Sequence, residues 1–415
     1  MNLKHVYRQL KKRKELKHFE VRPIGSALRI KRKEMKMTLE EGAEGICSVS
    51  YLSKLETNQI VPNLDFVDRL VERFGLKEKI AYDSEQFESD FNDLKHFMFQ
   101  LEQPSFSYME NYIEREDHQA LIIRLIEFAI TKNCDQALHY FQELVPFLPH
   151  LKDEELTMVL LSAAEAFVLE ENYQDAYRMA TEIPKTSESN EHLHLLTLRL
   201  KLIISFLEHK PSDLMTKYHT YIQEVESLGY YHLAKEMKRY LLVYLAQYHL
   251  PDEILKLSIC LDRERRLSNL PYAIACFMHQ DYEKVVLLAR DQKPLNDWLM
   301  IYLLAMERTS RFEEIKHTIN HRIPDTLNKT EKLILTHFIA KYEKDEKGQL
   351  HYLRRDLLGN RISSDNPICL EYIMMDASRW FAKYQFYKEA YLVIQQYQPR
   401  IKKLRLAMKS RIDEV

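Results

Sequence analysis

The stretch TLEEGAEGICSVSYLSKLETNQIVPN, residues 38–63, decides how the first part of this chain folds. Thr38 followed by Glu41 is a capping-box spacing, in which each side chain satisfies a backbone amide of the other, so a helix starts at Thr38. Gly45 ends that helix. Ser48 can accept an amide proton at the start of the next one, whose apolar positions are Leu52 and Leu55. Pro62 and Asn63 then introduce a third helix with Asn63 at its cap. Leu64, Val67, Leu70, Val71 and Phe74 form its expected buried stripe, and Gly75 is its stop.

A helix that follows a tight turn, apolar inside and short or polar outside, suits the second helix of a helix-turn-helix. Such a helix lies in the major groove, and its first residues meet base edges. The outward positions here are Val49, Ser50, Ser53 and Lys54. Lys54 can donate to guanine O6 and N7, Ser50 can serve either base type, and Val49 can pack on a thymine methyl. Tyr51 and the helix start at Ser48 suit phosphate. Double-stranded DNA is therefore an expected partner. The competing reading of the head is one that only dimerises or contacts protein.

Composition supports helix packed on helix. Only seven glycines occur in 415 residues, and four of them (Gly25, Gly42, Gly45, Gly75) fall in the first 75. A doubly wound enzyme needs glycines for its phosphate loops and turns. Hydrophobic content of 46% excludes general disorder. Five widely spaced cysteines, with no C-x-x-C pair, suggest free thiols in small core positions of a reducing compartment. The charged start shows no secretory signal, and no apolar run is long enough for a bilayer, so a soluble, cytoplasmic protein is expected. No cofactor is expected.

The net charge of −2 conceals an asymmetry. Residues 1–36 carry thirteen Lys and Arg against three acids, a net of +10, which leaves −12 on residues 37–415. A basic head on an acidic body suggests a polyanion at one end only. Within that head, LKHVYRQLKKRKELKHFE (3–20) reads as a helix with Leu3, Val6, Tyr7 and Leu10 on one side and cations on the other. The cations are either a solvated face or an arm that touches phosphate.

Past an acidic stretch beginning at Asp83, the chain repeats. Short turns followed by an aromatic or aliphatic residue that opens a second helix fall near Cys134, Tyr173, Leu214, Ile254, Tyr282, Phe312, Leu350 and Tyr387. Their mean spacing of about 36 residues lies close to the tetratricopeptide period of about 34. AEAFVLEENYQDAYRMATEIP (164–184) and RWFAKYQFYKEAYLVIQQYQP (379–399) show it best, each with a Tyr-x-x-Ala pair and a closing proline. The prolines at 184, 211, 251, 271, 294, 324, 367 and 399 are expected mostly at hairpin ends. An array of this kind builds a concave surface suited to peptides.

Residues 24–76 resemble the large helix-turn-helix family named after phage repressors and a xenobiotic-response element. By that resemblance Arg32 and Glu56 form a buried ion pair that holds the head together. Two residues depart from the family pattern: Leu39 stands where a phosphate-touching glutamine is usual, and Gly42 where an apolar core residue is usual. The turn also reads one residue short. With the repeats added, the domain order resembles the peptide-sensing, quorum-sensing regulators of low-GC Gram-positive bacteria, as does Ile46-Cys47 before the second helix. That resemblance implies a homodimer whose repeats bind a short signalling peptide, changing the dimer arrangement and promoter affinity. Polar residues on the first helices of the repeats are the candidates to hold it: Arg199, Lys201, Arg239, Tyr240, Tyr244 and Tyr302.

The expected architecture is all-α: a basic N-terminal helix (1–21), a five-helix head (22–78), a linker helix region (79–115) and a right-handed tetratricopeptide-like solenoid of about eight hairpins (116–415). Nucleotide-loop, zinc-protease and nucleophile-elbow motifs are absent, so no enzyme is expected. His317 and His321, at i and i+4, could share a metal but lack a third ligand nearby, and no metal site is expected. Two alternatives remain. One is a peptide-regulated protein that sequesters or dephosphorylates a response regulator, for which residues 80–130 offer only Gln86, Gln100, Gln103 and Gln119. The other is a repeat scaffold whose head merely dimerises.

Overall fold

The computed structural model describes residues 3–15, 23–57, 60, 62–76, 84–112, 115, 117–185, 190–207, 214–261, 269–290, 292, 295, 298–323, 327–359 and 366–409. Every regular element among them is helical. The chain is all-α, with an N-terminal helix-turn-helix followed by successive helical pairs. It divides into two units, Met1–Val168 with Gln174–Lys201, and Leu169–Tyr173 with Leu202–Val415. The expected boundaries at 21/22, 78/79 and 115/116 each touch residues outside the described ones.

In the first unit, α1 (Leu3–Glu15) precedes a head of four helices between residues 23 and 76: α2 (Pro23–Glu34), α3 (Leu39–Ala43), α4 (Val49–Glu56) and α5 (Leu64–Arg73). A fifth head helix is not present among the described residues. The head core is Ile24, Leu28, Ala43, Leu52, Leu55, Val67, Leu70 and Phe74. Leu64 departs from expectation: it is 74% exposed. Its spacing matches the buried stripe, but as the first residue of α5 it stands in solvent while Phe66 and Val67 of the same turn meet the rest of the head. Beyond the head, α6 (Ser84–Gln100) buries Phe87, Phe91, Leu94, Met98 and Phe99 and packs on α7 (His118–Ile130). The expected linker is thus part of the first unit's core.

Helices then follow in pairs. These are α7 with α8 (Cys134–Leu144), α9 (Asp153–Leu169) with α10 (Tyr173–Thr181), and α11 (Glu191–Leu207) with α12 (Leu214–Ser227). Next come α13 (Tyr231–Leu245) with α14 (Pro251–Leu261), α15 (Asn269–Met278) with α16 (Tyr282–Arg290), and α17 (Leu299–Arg308) with α18 (Phe312–His321). The last are α19 (Lys329–Tyr342) with α20 (Glu346–His351), and α21 (Pro367–Lys383) with α22 (Tyr387–Lys409). Six of the eight expected openings are the first residue of their helix. Ile254 lies three residues inside α14, and Leu350 inside α20, which runs on as π-helix through Tyr352–Gly359.

Five of the turns inside these pairs share one geometry, and it accounts for how few glycines they need. Two residues before the second helix, Lys132, Glu171, Gln280, Ser310 and Gln385 all adopt left-handed backbone, with φ between 55° and 64°. At four of them the Schellman bond pair closes the first helix, as where the Lys132 amide donates to the Ala129 carbonyl (3.1 Å) and the Asn133 amide to Phe128 (2.8 Å). Three residues into the second helix stands a small or branched buried residue: Ala137, Ala176, Val285, Ile315 or Ala390. That position lets the paired helices approach closely.

Among the described prolines of that series, Pro184 follows the second helix of a pair as expected, and four others do not. Pro251, Pro271 and Pro367 stand in the first turns of α14, α15 and α21, where the missing N–H has no intrahelical acceptor to lose. Pro399 lies inside α22, which continues to Lys409. Pro184 follows α10, while Pro211, Pro294 and Pro324 lie outside the described residues. Cys276 and Cys369 are buried as expected, whereas Cys47 and Cys134 are half-buried; all four are free thiols. The Cys260 side chain lies outside the described residues.

Candidate nucleic-acid interface

Helix α3 starts where the sequence places it. The Thr38 hydroxyl accepts the Glu41 amide (3.1 Å) and the Glu41 carboxylate accepts the Thr38 amide (2.6 Å), which also holds the Glu41 carboxyl below its usual range. Gly45, at φ +69°, ends the helix, and the amides of Ile46 and Cys47 both reach the Ala43 carbonyl at 3.0 Å. The Ser48 hydroxyl then accepts the Tyr51 amide (3.1 Å) and opens α4.

Two arginines fasten this turn from α5. Arg69 donates to the Gly45 carbonyl (2.6 Å), and Arg73 donates to the carbonyls of Glu44, Glu41 (3.3 Å) and Gly42 (3.4 Å). Cations complement the carbonyl-rich end of a helix. Sequence reading missed both residues. The available signal was their i, i+4 spacing on a helix packed behind a glycine-terminated one.

The inner side of α4 is locked. Leu52 and Leu55 are fully buried, and the Glu56 carboxylate, 2% exposed, accepts two hydrogen bonds from Arg32, at 2.6 Å from Nε and 2.7 Å from Nη2. Arg32 Nη1 donates to the Met37 carbonyl (2.8 Å), and the bonds to Glu56 raise the guanidinium pKa further. Gly42 leaves the room this requires. A Cβ there would stand 2.9 Å from Arg32 Cδ, 3.1 Å from Leu52 and 3.2 Å from Phe74, which accounts for the absence of the usual apolar residue.

The outer side of α4 is open. Ser48, Val49, Ser50 and Lys54 are exposed and Ser53 is half-buried. Lys54 has no ion-pair partner among the described residues. Tyr51 is placed differently from the rest: its ring meets Phe66 edge-on at 5.1 Å, and its hydroxyl accepts the Asn63 amide (2.7 Å). It braces α4 against the start of α5, and only its hydroxyl proton is left to donate outward.

The expected peptide-binding residues divide between the two units. Arg199 and Lys201 belong to the first unit, and Arg239, Tyr240, Tyr244 and Tyr302 to the second. Three of them are buried. Arg199 is 7% exposed and pairs with Glu165 (2.6 Å), joining α11 to α9. Tyr244 packs on Phe206 and Tyr248, while Tyr302, 2% exposed, lies under the Arg322 guanidinium, whose Nη1 donates to its hydroxyl (3.3 Å). These contacts assign the three to helix packing. Arg239 is exposed, and Lys201 and Tyr240 are half-buried.

A polar cluster that sequence reading did not find lies on the first helices of three successive pairs, α17, α19 and α21. Lys341 donates to Glu307 and to both Asp376 oxygens (2.7 Å each), and His337, fully buried, lies between Asp376 (3.0 Å) and the Tyr352 hydroxyl (3.1 Å) while stacking on Trp380. Burial opposes ionisation of Asp376, but the bonds from His337 and Lys341 outweigh it and hold its pKa low.

Other candidates have structural roles or lack ligands. Gln86 donates to Asp90 (2.7 Å) and Gln119 accepts from Arg115 (2.8 Å). His317 and His321 are exposed with ring centroids 5.0 Å apart, and no group of three metal-ligating side chains occurs among the described residues. No helix among them is long and apolar enough to cross a membrane. Compared with known proteins, residues 28–79 match the helix-turn-helix family model. Neither the curated proteins nor the solved structures give a match to the chain.

Proposed function

We propose that this chain is a sequence-specific DNA-binding regulator of transcription, working as a homodimer on a two-fold-symmetric site. A helix-turn-helix head is the module that DNA-binding transcription regulators carry, and residues 28–79 match its family model. The observation that carries the reading is α4. Its inner side is pinned by Leu52, Leu55 and the Glu56–Arg32 pair, so Val49, Ser50, Ser53 and Lys54 are offered outward on a fixed helix. In a major groove, Lys54 and Ser50 read base edges, Val49 packs on a methyl, and the start of α4 at Ser48 meets phosphate. Tyr51 adds one donor there.

In this reading the repeats sense a short signalling peptide, which binds two dimer arrangements with different affinity and so shifts promoter binding. Support comes from the run of helical pairs and the domain order they make with the head. Arg239, Lys201 and Tyr240 remain the candidate peptide contacts.

The test is a titration of the full chain against its own upstream DNA at several salt concentrations. Specific binding that weakens steeply with salt is expected, and Ser50→Ala with Lys54→Ala should lower both affinity and sequence preference. Unchanged binding by that double variant would remove α4 as the reading helix. Saturable heat on adding a short peptide encoded beside the gene is expected for the sensing role. Its absence with every such peptide counts against that role alone.

A further inference from the structure

Helix α1 stands outside the helix-turn-helix match, and it is not a loose arm. Val6 and Leu10 are buried where α1 packs on the segment Val145–His150. Arg13 reaches across to donate to the carbonyls of Pro149 (3.3 Å) and Leu151 and pairs with Asp153. These contacts fix the rotation of the helix about its axis. Lys4, Arg8, Lys11 and Lys12 consequently project from one exposed stripe at helical spacing. None of the four has an acidic partner among the described residues, although residues 37–415 carry a net charge of −12. A stripe serving solubility alone has no need to stay uncompensated on an acidic chain.

The head is fastened to the same scaffold. On α2, the Ser26 hydroxyl accepts the His118 amide (3.1 Å) and bonds the His118 ring (3.0 Å), and Arg29 lies 5.8 Å over the Phe147 ring. Cations of both helices converge on His150, whose pKa is held low by burial and then by Arg13, Lys12 and Arg29. The stripe on α1 and the head therefore keep a fixed spacing within the first unit.

We propose that the Lys4–Arg8–Lys11–Lys12 stripe of α1 is a second DNA contact, gripping the phosphate backbone beside the site read by α4. This rests on the DNA-binding reading of the head. The eight-residue step from Lys4 to Lys12 rises about 12 Å, the axial span of about three phosphates on one strand. Contacts of this kind add affinity without sequence preference.

The experiment compares the full chain with the variant Lys4→Gln, Arg8→Gln, Lys11→Gln and Lys12→Gln, on upstream DNA and on an unrelated duplex, across a salt series. Because all four positions are exposed, the fold should persist, with unchanged circular dichroism. The variant should bind both duplexes more weakly by the same factor, and its salt slope should be shallower by about two or more, at roughly 0.9 per lost contact. The charge-preserving variant Lys4→Arg, Lys11→Arg and Lys12→Arg should keep the original slope. An unchanged slope in the glutamine variant overturns the proposal while leaving the α4 reading intact. A loss seen only on phosphatidylglycerol vesicles overturns it in favour of a membrane surface. If the parent binds every duplex alike, the α4 reading fails, and the slope on the unrelated duplex still decides the stripe. Parent protein that binds no duplex overturns both.

Discussion

The missing side chain of Gly42 and the guanidinium arm of Arg32 occupy complementary space: a Cβ on Gly42 would stand 2.9 Å from Arg32 Cδ. In an open helix, glycine to alanine gains up to about 1 kcal/mol from propensity. Here the arm cannot step aside, because its nitrogens are held by Glu56 at 2.6 and 2.7 Å and by the Met37 carbonyl at 2.8 Å. Gly42→Ala should therefore destabilise the head by about 1–3 kcal/mol, as overpacking does. A thermal melt that moves upward would contradict this.

The Arg32–Glu56 pair itself holds the fold and lies on the inner side of α4. Removing one partner leaves a buried charge, so Glu56→Ala should cost about 3–5 kcal/mol. Replacing both by Arg32→Met and Glu56→Leu should cost much less. The double variant should also keep the DNA sequence preference of the parent, since neither side chain faces outward. Urea titrations together with binding to two different duplexes separate these outcomes.

His118 gives the first unit a pH dependence of known sign. Burial is the main reason its pKa falls from 6.5 to about 4, where the ring stays neutral against Ser26. The unfolded chain takes up that proton at higher pH than the folded chain does. Stability from this group is thus complete above about pH 6.5 and lost as pH falls toward 4, roughly 3 kcal/mol in all. In His118→Asn the change of unfolding free energy with pH should be smaller by about one proton within that window. Equal slopes for parent and variant would show that the ring is not held neutral.

What the sequence made legible was local. Thr38, Ser48 and Asn63 could be read as caps because a cap bonds amides two or three residues away. Arg199 and Tyr302 could not be read, because their type suggests surface while their partners, Glu165 and Arg322, lie 34 and 20 residues away in sequence. Leu64 shows the same limit in reverse: periodicity finds a stripe but not which of its members a neighbour covers. The docking of α1 depended on acceptors near residue 150, beyond any local pattern.

The repeat turns lead to a prediction that runs against the composition. Lys132, Gln280, Ser310 and Gln385 hold left-handed backbone without being glycine, and each closes its helix by the same bond pair. For a residue with a Cβ that conformation costs about 1–2 kcal/mol, whereas glycine loses roughly 0.5–1 kcal/mol through its freer unfolded state. The backbone term is the larger, so each change to glycine should stabilise by about 0.5–1 kcal/mol. Each change acts on the backbone of its own turn, so the gains should add to a few kcal/mol in one variant, read as a higher urea midpoint. Glu171 has the same backbone but a different side-chain role. Its carboxylate accepts the Thr330 amide (2.9 Å) and hydroxyl (2.6 Å). Glu171→Gly removes that cap along with the strain, so it should gain nothing or lose stability. If Glu171→Gly gained as much as the other four changes, the carboxylate would contribute nothing to the start of α19.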